Sequence, residues 1–133
     1  MNETARMRLG RLAEDWAAQT LSKSGAEIVV RNFRRRSGEL DLVAIDGELL
    51  LIVEVRLRSS SDYGGADGSI DAGKRRRIVR TTQQLLQIHR TLARLRVRFD
   101  VMVVEQCDDG VALGDAPGRW RLRWLRHAFD ATT

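Results

Sequence analysis

Residues 38–57 read GELDLVAIDGELLLIVEVRL. Two runs of Leu, Val, Ile and Ala flank Asp46-Gly47, a dipeptide that favours a tight type I′ turn. The stretch predicts a hairpin of two strands, GELDLVAI and ELLLIVEVRL. A half-buried hairpin keeps one apolar and one polar face, yet Glu39, Asp41 and Glu54 interrupt otherwise aliphatic strands. If Ile45 faces Glu48 across a two-residue loop, Asp41 lies opposite Ile52 and Glu39 lies opposite Glu54. The strand period then puts Glu39, Asp41, Ile52, Glu54 and Arg56 on one face. Two acids directly opposite each other repel unless something positive lies between them. Either the acids are solvated edge positions neutralised by Arg56, or they form an all-oxygen site for a hard cation such as Mg²⁺ or Mn²⁺.

Outward from the hairpin, helical spacing of Leu9, Leu12, Ala13, Trp16 and Thr20 predicts an amphipathic helix over 6–24, stopped by Ser24-Gly25. AEIVVRNF is a short strand that ends in the charged turn Arg34-Arg35-Arg36-Ser37-Gly38. SSSDYGGADGS is a Gly- and Ser-rich loop. A second helix follows, capped at Asp71, with Ile78, Leu85, Ile88 and Leu92 along its apolar side. VRFDVMVVE is a fourth strand, and Arg119, Arg121 and Arg123 alternate with Trp120, Leu122 and Trp124 on a fifth. The order α-β-β-β-α-β-β predicts an α/β domain with a mixed sheet flanked by helices.

A chain of 133 residues is expected to form one domain, 1–133, with its core roughly over 8–128. One cysteine, Cys107, excludes an internal disulfide and a cysteine-based zinc site. The first residues have no signal-peptide pattern, and the longest aliphatic run, Leu49 to Val53, is too short to cross a bilayer. The expectation is a soluble cytoplasmic protein without a membrane partner. Lys and Arg number 23 against 18 Asp and Glu, a net charge of +5, which points towards a polyanion. Lys74, Arg75, Arg76, Arg77 and Arg80 crowd the start of the second helix, where each cation opposes the helix dipole by roughly 0.3–1 kcal/mol. With Arg34, Arg35, Arg36 and the arginines near the C-terminus they suggest a track for phosphates. Aromatic residues make up only 5% of the chain, so backbone and shape recognition of duplex or branched DNA fits better than base stacking. His89 and His127 lack metal-ligand spacing, and Cys107 has no base partner.

The series Gly10-x-x-x-Glu14, Arg31-Asn32-Phe33-Arg34, Gly38-Glu39-Leu40-Asp41, Val53-Glu54-Val55-Arg56-x-Arg58, Tyr63-Gly64, Lys74 and Arg98-Phe99-Asp100 resembles the bacterial YraN family, and Trp124-Leu125-Arg126-His127-Ala128-Phe129 resembles its closing segment. That family is similar to archaeal Holliday junction resolvases and to PD-(D/E)xK nucleases. The resemblance implies a restriction-endonuclease-like fold and a metal-dependent endonuclease acting on DNA with Mg²⁺ or Mn²⁺. It implies catalytic positions at Glu14, Asp41, Glu54 and Arg56, and metal ligands at Asp41 and Glu54, with Glu39 a further ligand or a partner of one; Arg58 joins the basic residues already named as a phosphate contact. The Gly64-Gly65 loop reads as a flap beside the site, anchored by Tyr63. Related resolvases act as dimers on branched DNA, and a homodimer is compatible with the sequence.

Two positions depart from the pattern. Ala13 stands where a glycine usually precedes the helix glutamate, and Arg56 stands where the nuclease pattern ends in lysine. Arginine stays protonated, so Arg56 can clamp a phosphate but cannot act as a general base. Lys74 is too far along the chain to be claimed as its substitute from sequence. Two alternatives therefore stand beside the enzyme: a DNA-binding protein on an inactive nuclease scaffold, and an assembly or adaptor domain whose arginines meet an acidic protein.

Overall fold

The computed structural model describes residues 3–59 and 70–131. Its elements are α1 (Glu3–Lys23), β1 (Glu27–Arg35), β2 (Gly38–Asp46), β3 (Leu49–Arg58), α2 (Ala72–Ile88), a 3₁₀ turn (Arg90–Arg94), β4 (Arg96–Val111) and β5 (Trp120–Phe129). The expected order α-β-β-β-α-β-β is present, and the architecture is that of a restriction-endonuclease-like α/β domain. The five strands pair in chain order; β3 and β4 run parallel and the other pairs antiparallel. A parallel pair needs a crossover, and α2 supplies it across one face of the sheet.

Alternation along the central strands explains the layers. On β3, Leu50 and Ile52 pack with Ile78 and Leu85 of α2, while Leu51 and Val53 pack with Ala17, Ala18 and Leu21 of α1. Small residues on α1 let that helix lie close to the sheet. The second helix is shorter than its apolar pattern suggests: it ends at Ile88, which is half exposed, and buried Leu92 belongs to the 3₁₀ turn instead. β4 extends further than VRFDVMVVE and takes in Cys107, Asp108 and Asp109. No helix of the described residues is long and apolar enough to cross a membrane. Tyr63 and the Gly64-Gly65 pair lie outside the described residues.

The hairpin register differs from the expected one. Asp46 pairs with Leu49, so the loop is Gly47-Glu48 rather than Asp46-Gly47. Glycine occupies the first loop position with φ +61°, the pattern of a type II′ hairpin. The ladder slips by two residues and ends at Leu42–Val53, so Asp41 no longer faces Ile52 and Glu39 no longer faces Glu54.

The β1–β2 turn docks onto α2. Ser37 Oγ lies 2.7 Å from Thr81 Oγ1 and donates to Gln84 Oε1 at 2.8 Å. Gly38 follows with φ +151°, and a Cβ there would lie 3.4 Å from Thr81 Oγ1 and 3.5 Å from Arg77 Cβ. Gly38→Ala is expected to cost about 1–3 kcal/mol, from the unfavourable φ, since the added Cβ would make only ordinary contacts with α2. Urea unfolding midpoints of the two proteins check this.

Candidate functional site

Glu54 follows Leu50 and Ile52 as the next residue of β3 facing α2, so the fold carries it into the end of the core, where it is buried. Its compensation comes from α2. Lys74 Nζ lies 2.8 Å from Glu54 Oε1, with the Glu54 side chain 8% exposed and that of Lys74 38% exposed. Lys74 is held by its helix cap: Asp71, in extended conformation, accepts the Lys74 backbone N–H on Oδ1 at 2.8 Å. Arg56 projects from the same face of β3 as Glu54, and burial followed by the nearby Arg58 lowers its pKa. Among the described residues Arg56 forms no ion pair.

Asp41 reaches the site from a break in β2. Leu40 and Val43 both pack on the α2 side although they are three apart, so the two-residue alternation fails between them. β1 breaks at the same level: Phe33 and Val30 also share that side, and between them Asn32 takes φ +53°. Asn and Asp tolerate this left-handed conformation better than other side-chain-bearing residues. β2 thereby parts from β3 beyond Leu42, and Asp41 fills the gap. Its Oδ2 accepts the Val55 backbone N–H at 2.8 Å, in place of a strand partner.

Asp41 and Glu54 interact directly, and both carboxyls are pushed upward. Burial is the main cause for Asp41, with Glu54 adding to it, and the Asp41 pKa rises to about 8 against the opposing Val55 N–H. Burial also raises Glu54, against the lowering effects of Lys74, Asp41 and Arg56. Two buried acids sharing one cation keep a proton at neutral pH.

The other expected acids are nearby but engaged. Glu14 accepts from Arg31 at 3.1 Å and from Asn32 Nδ2 at 3.0 Å. Glu39 lies opposite Arg34 on β1 and pairs with it at 3.2 Å. Glu14, Glu39 and Asp41 line a cavity of about 530 Å³ on the α1 side of the sheet, with Arg11, Arg31 and Val55. The expectation that Glu39, Asp41 and Glu54 share one face is therefore corrected: the break in β2 turns Glu39 towards α1, whereas Glu54 faces α2. No group of three His, Cys, Asp or Glu side chains that could hold a metal is present among the described residues. The donor set that does converge is the two-carboxylate pair Asp41–Glu54. That set fits Mg²⁺ or Mn²⁺, which bind through one or two carboxylates and complete their shell with water and substrate phosphate.

The basic residues separate into two groups. Docking of Ser37 on Thr81 and Gln84 brings the turn after Arg35 beside Arg77 on α2, with Arg76 and Arg80 also exposed, whereas Arg34 pairs with Glu39 and lines the cavity on the α1 side. The buried Nε of Arg75 has no hydrogen-bond partner. The C-terminal arginines already have acceptors on β4. Arg121 and Arg123 both pair with Glu105, at 2.8 and 3.1 Å, and Arg119 donates to the Gly110 carbonyl at 2.6 Å. By strand register Arg121 and Arg123 lie on the α2 side of the sheet, across β4 from Arg58 and Arg56, with Glu105 neutralising part of their charge.

Residues 13–104 match the family model described as "Uncharacterised protein family UPF0102", the YraN family. The chain belongs to this family. It is 45% identical over 98% of its length to a UPF0102 protein of Dechloromonas aromatica, covering 94% of that protein. It is 41% identical to one from Stutzerimonas stutzeri over 92% of this chain and 94% of the other. A third, from Alkalilimnicola ehrlichii, is 40% identical over 94% of this chain and 89% of the other. The names of these UPF0102 relatives state the family and no activity.

Lys74 is the site residue that sequence reasoning placed only on the phosphate-binding surface. One signal pointed to it: a cation at a helix N-terminus opposes the dipole and so needs an acidic partner or an anionic ligand.

Proposed function

We propose that this UPF0102 protein binds DNA, duplex or branched, and hydrolyses its phosphodiester bonds with Mg²⁺ or Mn²⁺. The observation that carries this reading is the buried Asp41–Glu54 pair, short of positive charge and set beside an arginine-rich surface. Asp41 and Glu54 are the residues that would hold the ion, whose chemistry is to polarise a phosphate and acidify water. The arginines of the β1–β2 turn and of α2 bind the sugar–phosphate backbone and set the position of the strand. Arg56 and Arg58, at the end of β3, face the α2 side of the sheet, with Arg56 near Asp71 at the start of α2. In the reaction a water oxygen bonds to phosphorus while the bond from phosphorus to a sugar oxygen breaks. The leaving oxygen takes the bonding electrons and a proton, leaving a terminal phosphate and a hydroxyl.

The test is cleavage of end-labelled duplex, single-stranded and four-way-junction DNA with Mn²⁺ or Mg²⁺, by the wild type, Asp41→Ala and Arg56→Lys. Products from the wild type that disappear with EDTA and in Asp41→Ala are the expected result. A second reading rests on the presence of only two converging carboxylates and on Arg56 in place of lysine: a DNA-binding protein without hydrolysis. Binding by the wild type with no cleavage by it or by Arg56→Lys would replace the enzyme with that reading. If the wild type bound none of these DNA structures in preference to another and cut none, both would give way to an adaptor that meets an acidic protein.

A further inference from the structure

We propose that Lys74, rather than Arg56, is the cation that this site presents to a substrate phosphate. The inference rests on the nuclease reading for its chemistry but not for the phosphate contact itself. An ammonium has three donors, and one directed at Glu54 leaves two for phosphate oxygens. The Lys74 side chain is 38% exposed while Glu54 is 8% exposed, so the solvent-facing side of the ion pair is the lysine. Lys74 is also well anchored. It stands in the first turn of a seventeen-residue helix whose Asp71 cap bonds to its own N–H. Arg56 lies two residues from Glu54 on the same strand face and could neutralise it without opposing a helix dipole. The chain instead brings a cation from the helix across to the acid. That arrangement places a compact point charge at Asp41–Glu54 and leaves the wide guanidinium of Arg56 beside Arg58.

Two readouts on the intact protein test this: Mn²⁺-dependent cleavage, and the salt dependence of affinity for a fluorescent duplex in EDTA. Lys74→Met is expected to lose about 100-fold in kcat, the scale of removing one charge-stabilising donor, while Lys74→Arg retains part and Arg56→Met loses less than about tenfold. Independently of the metal, Lys74→Met should lower the slope of log affinity against log salt by about 0.9, the loss of one phosphate contact. If Lys74→Met does not fold, Lys74→Met/Glu54→Gln removes the buried charge and keeps the slope readable, with Glu54→Gln alone as its reference. An unchanged slope overturns the inference even if cleavage falls, because Lys74 would then act only by holding Glu54. Cleavage by Lys74→Met within about threefold of wild type also overturns it and leaves the nuclease reading intact. If the wild type binds DNA and cuts nothing, the nuclease reading fails and the slope alone decides Lys74.

Discussion

Asp41→Asn is expected to abolish cleavage and at the same time to make the protein more stable above neutral pH. In the fold the Asp41 pKa is raised from 3.8 to about 8, so the native state binds a proton that the unfolded chain releases. Stability from this group is fully present below about pH 4, declines as pH rises towards 8, and is constant above it. At about 1.4 kcal/mol per pH unit the rise sets an upper limit of about 6 kcal/mol. Sharing of the proton with Glu54 and entry of water reduce this, so we expect Asn to gain about 1–3 kcal/mol at pH 9 and little near pH 4. Its side-chain oxygen can still accept the Val55 N–H, so the strand break is preserved. Urea unfolding in EDTA at pH 4, 7 and 9, beside the cleavage assay, gives both halves of the result. A variant less stable than wild type at pH 9 would mean that the ionised Asp41 is already compensated. The opposite signs of the two effects are what a site with two buried acids and one paired cation should show.

The second large effect concerns an acid with no part in that chemistry. Asp100 is completely buried, and four donors satisfy it. Arg98 meets it through Nε at 2.9 Å and NH2 at 2.8 Å, Trp124 Nε1 at 2.9 Å, and the His127 backbone N–H at 3.0 Å. The bonds act where the β4–β5 pairing shifts between Phe99 and Val101 and where His127 adopts φ +51°. Asp100→Ala leaves a buried indole N–H and a backbone N–H without partners and strands the Arg98 charge. We expect a cost of about 3–5 kcal/mol, the range for removing one member of a buried ion pair. Against a total stability of about 5–15 kcal/mol this brings the protein close to unfolding. Asp100→Asn keeps one acceptor oxygen but sets its NH2 against two of the four donors, and should cost about 1–3 kcal/mol, less than alanine. Thermal unfolding of both variants checks the order, and a cost below about 1 kcal/mol for alanine would show that β5 does not depend on this carboxylate.

Local rules made much of the molecule legible. Alternation in ELLLIVEVRL, helical spacing in α1, and Asp71 before a helix are properties of a few neighbouring residues, and all reappear in the structure. The alternation even placed Ile52, Glu54 and Arg56 on one face correctly, because a slip of two residues preserves which side each residue faces. That same insensitivity concealed the slip. Either Asp46-Gly47 or Gly47-Glu48 satisfies the pattern, and packing of β2 between β1 and β3 selects the second. The break at Asn32 and Asp41 has no periodic signature either: it needs two strands to change direction together. Lys74 meets Glu54 because β3 and β4 run parallel, which obliges the intervening helix to cross the sheet and return its first turn to the end of β3. Burial, register and charge compensation at the site depend on surfaces brought together across that crossover, and no window of the sequence contains both partners.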